Sequence, residues 1–238
     1  MMKGLAYVLM VAGIVVVLLP KAMEWHADYL ERQLLKSTEQ SFAAAGGKSA
    51  YTDADSDRRT VEEYARLSGL FSQGTEDETN LSELHTPEAG VQPSEASDTV
   101  SNTASLTAET AIAVLSIEKI KLRLPVLEGA TQDNMKFAAA HMKETSPLGE
   151  PGNAAIAAHR VRTKGRLFNR LDELKIGDEI IVETKDRKLT YTVYKTLIVK
   201  PTDTSVLRRS DKESVLTLIT CEPIVDPTHR LIVQARRS

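Results

Sequence analysis

Apolar and polar positions change rhythm several times along the chain. The run Leu5 to Leu19 carries no charge, with Lys3 before it and Lys21 after. Together with Pro20, Ala22, Met23 and Trp25 it approaches the roughly 17 to 25 residues that a bilayer-crossing helix needs. Residues 22–45 then place Trp25, Tyr29, Leu30, Leu34 and Leu35 at spacings of one helical face, which predicts an amphipathic juxtamembrane helix. Thr60-Val61-Glu62-Glu63 has capping-box form, and Val61, Tyr64, Leu67 and Phe71 continue at helical spacing. A second short helix is expected there, either docked on the following domain or free. From Ser72 to Ser105 large apolar residues are scarce among Ser, Thr, Glu, Asp, Gly and Pro. Such a segment cannot bury enough surface to offset its ordering entropy and reads as a linker or stalk.

Beyond it the period shortens to that of strands. Ala111 to Ile120, Leu122 to Leu127, Ala154 to His159, Glu179 to Thr184, Leu189 to Val199, Val215 to Cys221 and His229 to Ala235 are short runs rich in Val, Ile, Leu and Thr. Turn chemistry bounds them at Gly129, Pro151-Gly152, Ile176-Gly177-Asp178 and Asp186-Arg187. Thr131 to His141 and Leu167 to Leu174 read as helices. The pattern predicts a mainly β fold of seven or eight strands with short crossover helices, closed into a barrel because closure removes exposed edges. The chain therefore divides into a membrane anchor at 1–25, a juxtamembrane helical segment at 26–71, an acidic linker at 72–109 and a β-barrel at 110–238. A cleavable signal peptide is the alternative to the anchor, although no small-x-small site follows the apolar run.

Charge follows the same division. Residues 52–110 hold 13 acidic and 3 basic side chains, whereas residues 111–238 hold 22 basic and 16 acidic ones. The basic positions, among them Arg160, Arg162, Lys164, Arg166, Arg170, Arg208, Arg209 and Lys212, are interrupted, and only 5% of all residues are aromatic. A stacking platform for nucleic acid is missing, so no nucleic-acid partner is expected. Asp172, Glu173, Asp178 and Glu179 read as surface charges around a turn, so no cofactor is expected and calcium has no specific support.

Cys221 is the single cysteine. It can form no internal disulfide, and no cluster of further ligands accompanies it, which leaves a nucleophile or a small buried hydrophobe. Two more strands end in capable side chains: Asn153 to Ala158 leads to His159, and a later strand opens with Arg230. Three strand ends delivering a thiol, an imidazole and a guanidinium could together form a catalytic cluster.

Thr217-Leu218-Ile219-Thr220-Cys221 resembles the TLxTC signature of the sortases. Ile156-Ala157-Ala158-His159-Arg160 is similar to their histidine strand, which usually has Gly where Ala158 stands, and Arg230-Leu231-Ile232-Val233 to their arginine strand. The resemblance covers roughly residues 110–238. It implies a membrane-anchored cysteine transpeptidase with an extracellular barrel. Such an enzyme cleaves an LPxTG- or LPxTA-type sorting signal after Thr through a Cys221 thioester and passes the protein to a peptidoglycan-precursor amine. Its partners would be surface proteins carrying a C-terminal sorting signal.

In that reading His159 is the proton donor and acceptor, and Arg230 stabilises the oxyanion or orients substrate. Thr220 adds a donor to the oxyanion, and His141 resembles a second, supporting histidine. His229 points to the opposite face by strand alternation. The absence of an Asp-Pro-aromatic lid motif argues against class C, and the short segment from Pro201 to Glu213 against class B. Class D or class A-like remains. A cysteine L,D-transpeptidase and a non-catalytic membrane-tethered β-barrel are the alternatives.

Overall fold

Eight strands close into a barrel in the computed structural model, which describes residue 25 and residues 28–42, 56–73 and 111–238. They are β1 (Ala113–Ile117), β2 (Leu122–Glu128), β3 (Ala139–His141), β4 (Gly152–Ala157), β5 (Glu179–Thr184), β6 (Lys188–Val199), β7 (Ser214–Glu222) and β8 (His229–Arg237). Their order around the barrel is β1-β2-β3-β4-β7-β8-β6-β5, with β5 pairing back to β1. The neighbours β4 and β7 run parallel, as do β2 and β3; the other pairs are antiparallel.

Strand alternation divides the buried residues into two sets. Leu115, Leu124, Ile156, Val182, Leu218 and Val233 belong to the barrel interior. Ala155, Ala157, Ile219 and Ile232 face outward from β4, β7 and β8 and form a second apolar cluster. An outward apolar face needs a cover, and helix α2 (Ser56–Gln73) supplies it with Tyr64, Leu67 and Phe71, each 1% exposed. The docked alternative for this segment therefore holds.

Both N-terminal helices depart in detail from the sequence expectation. Val61 of the expected apolar stripe is 47% exposed, and the helix starts at Ser56, a turn before the capping-box signal. The box residues bind the barrel instead: the Thr60 hydroxyl donates to Glu144 O, and the Glu63 carboxylate accepts from the Lys143 and Glu144 amides at 3.1 and 3.0 Å. Helix α1 (28–42) buries Leu30, Leu34 and Thr38, while Trp25 and Tyr29 turn outward at 73% and 55% exposure. It is tied to the barrel by Asp28 to Arg166 at 2.9 Å and Glu39 to Arg123 at 2.7 Å.

The helix expected over Thr131–His141 is confined to α3 (Gln132–Met135), N-capped by the Thr131 hydroxyl. Ala139–His141 is strand instead. Alanine favours helix locally, but Ala138, Ala139 and Ala140 are fully buried, and their small side chains let β3 lie between β2 and β4. The helix expected over Leu167–Leu174 shrinks to a 3-10 turn at Leu171–Glu173. There the Phe168 amide donates to His159 O and Arg160 Nε to Asn169 O, which takes both groups out of a continuous helical ladder. The first strand stops at Ile117 because Glu118–Ile120 tightens into a 3-10 turn closed by Lys121 at φ 52°.

The anchor expected at 1–25 and the linker at 72–109 lie outside the described residues, apart from Trp25 and the last residues of α2. Among the described residues no helix is long and apolar enough to cross a membrane.

Candidate active site

The outward parity of three strands brings the candidate residues onto one face. Ala155 and Ala157 face outward from β4, and two residues further the same side carries His159. Ile219 precedes Cys221 by two on β7, and Ile232 follows Arg230 by two on β8. Cys221 and Arg230 are direct partners in the antiparallel β7/β8 ladder. The parallel β4/β7 ladder pairs Ala157 with Ile219, and the same offset carried two residues on sets His159 opposite Cys221. The three sequence candidates thus converge on one patch of the barrel wall.

Helix α2 lies over this patch. Phe71 stands edge-on to the His159 ring, with centroids 5.4 Å apart at 76°, and the Arg230 guanidinium sits 4.9 Å over the Phe71 centroid. Arg230 also donates to Ser68 O on α2 at 3.3 Å and to His229 O at 3.0 Å, and it is 2% exposed. Among the described residues its Nε has no hydrogen-bond partner. An unpaired buried donor costs about 1–3 kcal/mol, so this N–H is a standing site for an acceptor such as a carbonyl oxygen or an oxyanion.

Burial dominates the electrostatics. It pushes the Cys221 thiol up to about 11, against the opposing pull of the Arg230 and Arg160 charges. It also brings His159 down to about 4. Thiol and imidazole are therefore both neutral at pH 7 while α2 covers them. A thiolate, the reactive form, needs the pair to be uncovered and rehydrated.

The other sequence candidates lie around the patch. The Thr220 hydroxyl is buried on the opposite face of β7, where it donates to Ala158 O at 2.8 Å. His141 lies on β3, its Nδ1 3.0 Å from Glu128 Oε1 and its Nε2 3.0 Å from Ser146 O. Its contacts brace the turn that leads into β4. His229 pairs with Glu222 in the β7/β8 register, and its Nδ1 meets the Thr228 hydroxyl at 2.9 Å. Among the described residues no group of three or more His, Cys, Asp or Glu is arranged to hold a metal ion. Asp172 and Asp178 are engaged by Arg160 and Lys119.

Sequence reasoning missed a polar girder beneath the site. Asn153, Thr217 and Gln234 lie on the outward face and bond to each other and to Val206 O: Thr217 Oγ1 to Asn153 Oδ1 at 2.7 Å, Asn153 Nδ2 to Val206 O at 2.9 Å, and Gln234 Nε2 to Val206 O at 2.9 Å and to Thr217 Oγ1 at 3.2 Å. The signal was present as parity: each lies an even number of residues from His159, Cys221 or Arg230 on its own strand. Phe71 was placed on an apolar helical stripe, but nothing in the stripe named the surface it would meet.

Comparison with known proteins agrees with this geometry. Residues 115–238 match the Sortase domain family. Sortase D of Bacillus subtilis is 31% identical over 179 residues, covering 71% of this chain and 87% of the relative. Sortase A of Bacillus anthracis is 35% identical over 130 residues, covering 55% of this chain and 61% of the relative. Among solved structures, sortase C of Streptococcus pneumoniae superposes with a TM-score of 0.57 at 25% identity, over 87% of this chain and 96% of that one. Sortase D5 of Clostridium perfringens does so with a TM-score of 0.50 at 25% identity, over 78% of this chain and 99% of that one. Sortases are cysteine transpeptidases, and with a matching domain over residues 115–238, a relative matched over most of both chains and a barrel that superposes on a solved sortase, this chain belongs to the sortase family.

Proposed function

We propose that the chain is a membrane-anchored transpeptidase that cleaves an LPxTG- or LPxTA-type sorting signal after Thr and transfers the protein to a cell-wall amine. The observation that carries this reading is the direct pairing of Cys221 with Arg230 on a face that His159 shares. Once α2 is displaced, the Cys221 thiol passes its proton to His159 and the resulting thiolate attacks the Thr carbonyl carbon, while the developing oxyanion takes hydrogen bonds from the Arg230 guanidinium, whose Nε donor is free. As the amide C–N bond breaks, His159 gives its proton to the leaving amine. The incoming amine then attacks the thioester, His159 takes a proton from it, and the C–S bond breaks to return Cys221.

Thr220 and His141 act as supports in this scheme, through Ala158 O and through the turn before β4. The sorting signal of a surface protein has to displace α2 to reach the thiol, because Phe71 occupies the space between His159 and Arg230. The anchor at 1–25 would hold the enzyme on the cell surface, with a peptidoglycan-precursor amine as acceptor. The 31% identity to a sortase D spans 71% of this chain and the 35% identity to a sortase A spans 55%, so the reading keeps class D or class A-like.

The test is mass spectrometry of the full chain incubated with LPxTG and LPxTA peptides and an amine. A mass increase on Cys221 equal to the acyl fragment is expected, together with peptide–amine product, and the two peptides read the residue after Thr. Neither species forming with either peptide would refute the reading, as would product formed at a comparable rate by Cys221→Ala.

A further inference from the structure

We infer that Arg160 and Glu222 are positioning residues: an ion-pair clamp that holds His159 in register with Cys221. The inference rests on the transpeptidase reading above. The β4/β7 ladder runs with one constant offset from Gly152 and Ser214 to Ala157 and Ile219. The last backbone link is the Ala158 amide donating to Ile219 O at 3.2 Å. Beyond it the same offset sets Ala158 opposite Thr220, His159 opposite Cys221 and Arg160 opposite Glu222. The outer two of these three pairs are cross-linked by side chains. The Thr220 hydroxyl donates to Ala158 O at 2.8 Å, and Arg160 Nη1 donates to the Glu222 carboxylate. The catalytic pair is thus bracketed, one residue to either side, at the point where the backbone ladder has ended.

Alternation sends Arg160 and Glu222 to the face opposite His159 and Cys221, so the clamp does not occupy the substrate side. Arg160 is 9% exposed, and its other two nitrogens are also engaged: Nη2 lies 2.9 Å from Asp172 Oδ1 and Nε donates to Asn169 O at 3.3 Å. One guanidinium therefore fastens the residue after His159 both to the residue after Cys221 and to the connection that leads on to β5. The planar fork makes these bonds together, and a lysine ammonium cannot reproduce them. Proton transfer needs the donor within about 2.6–3.2 Å of its target, so freeing His159 to wander lowers turnover more than substrate affinity.

The test compares Arg160→Ala, Glu222→Ala, the double variant and Arg160→Lys in the full chain. Cleavage of quenched LPxTG and LPxTA peptides, with the one the wild-type chain turns over faster used for the variants, gives kcat and KM, and thermal unfolding checks the fold. The expected result is a fall in kcat of about 10- to 100-fold for each single variant, with KM changed less than about threefold. The double variant should be no slower than the slower single one, as for two ends of one interaction. Arg160→Lys should remain slow; full rescue by Lys would reduce Arg160 to a charge near Cys221 and overturn the clamp. Wild-type kcat in Glu222→Ala and Arg160→Lys would also overturn it, and these two variants decide the matter if Arg160→Ala unfolds. A wild-type chain that cleaves neither LPxTG nor LPxTA would instead refute the transpeptidase reading, and the clamp with it.

Discussion

Phe71 meets His159 edge to face, with ring centroids 5.4 Å apart. A helix remote in sequence from the barrel strands thereby covers the half-buried imidazole, and it contributes to the burial that keeps Cys221 5% exposed. Removing that ring should open the site. Phe71→Ala is expected to speed alkylation of Cys221 by iodoacetamide by at least about tenfold at pH 7, because the thiol titration falls from about 11 toward its ordinary value. Measuring the alkylation rate against pH gives both quantities. An unchanged profile would mean that α2 does not govern the thiol.

Protonation of His159 should release the same helix. Burial lowers its pKa from 6.5 to about 4, so the unfolded or undocked state binds the proton more tightly. The associated stabilisation is complete above pH 6.5 and is lost as pH falls through about 4. Hydrogen exchange of the α2 amides is expected to lose protection between these values. Flat protection from pH 7 to pH 4 would contradict the buried, neutral imidazole.

Helix α1 should respond in the opposite direction. Burial raises the Glu31 carboxyl from 4.5 to about 7, opposed by Arg166 and Arg32 and reinforced by Asp28. A raised folded pKa means stabilisation that is complete below pH 4.5 and lost as pH rises through about 7. Docking of residues 28–42, followed by hydrogen exchange, is expected to weaken over that interval, and Glu31→Gln should remove the dependence. Equal pH dependence in the variant would place its cause elsewhere.

Arg230 has two opposed roles that a single substitution separates. It holds Ser68 O and the Phe71 ring of the cover, and it supplies the donor beside Cys221. Arg230→Ala should therefore alkylate faster than wild type while cleaving peptide at least about 100-fold more slowly. Arg230→Lys should not restore cleavage, since a point charge lacks the fork. His159→Ala should lose cleavage to a similar degree, whereas His229→Ala should stay within about twofold of wild type. A large loss in His229→Ala would place His229 on the same face as Cys221 and contradict the strand parity.

Period-two alternation and turn chemistry in the sequence mark seven strands of the barrel, because those runs carry their own β preference and burial pattern. Thr217 to Cys221, the His159 strand and Arg230 were legible for the same reason: each is a local motif in a local rhythm. The eighth strand was not legible, since Ala139–His141 is strand only through its neighbours β2 and β4 and three alanines prefer helix when alone. Nor could the sequence show that Arg160 reaches Glu222, 62 positions away, or that the Tyr64, Leu67 and Phe71 stripe closes over Cys221. A hydrophobic stripe states that a surface must be covered but not which surface, and an isolated charge states that it needs a partner but not which one. Those choices depend on the barrel's register and closure, which bring distant residues within a few ångströms.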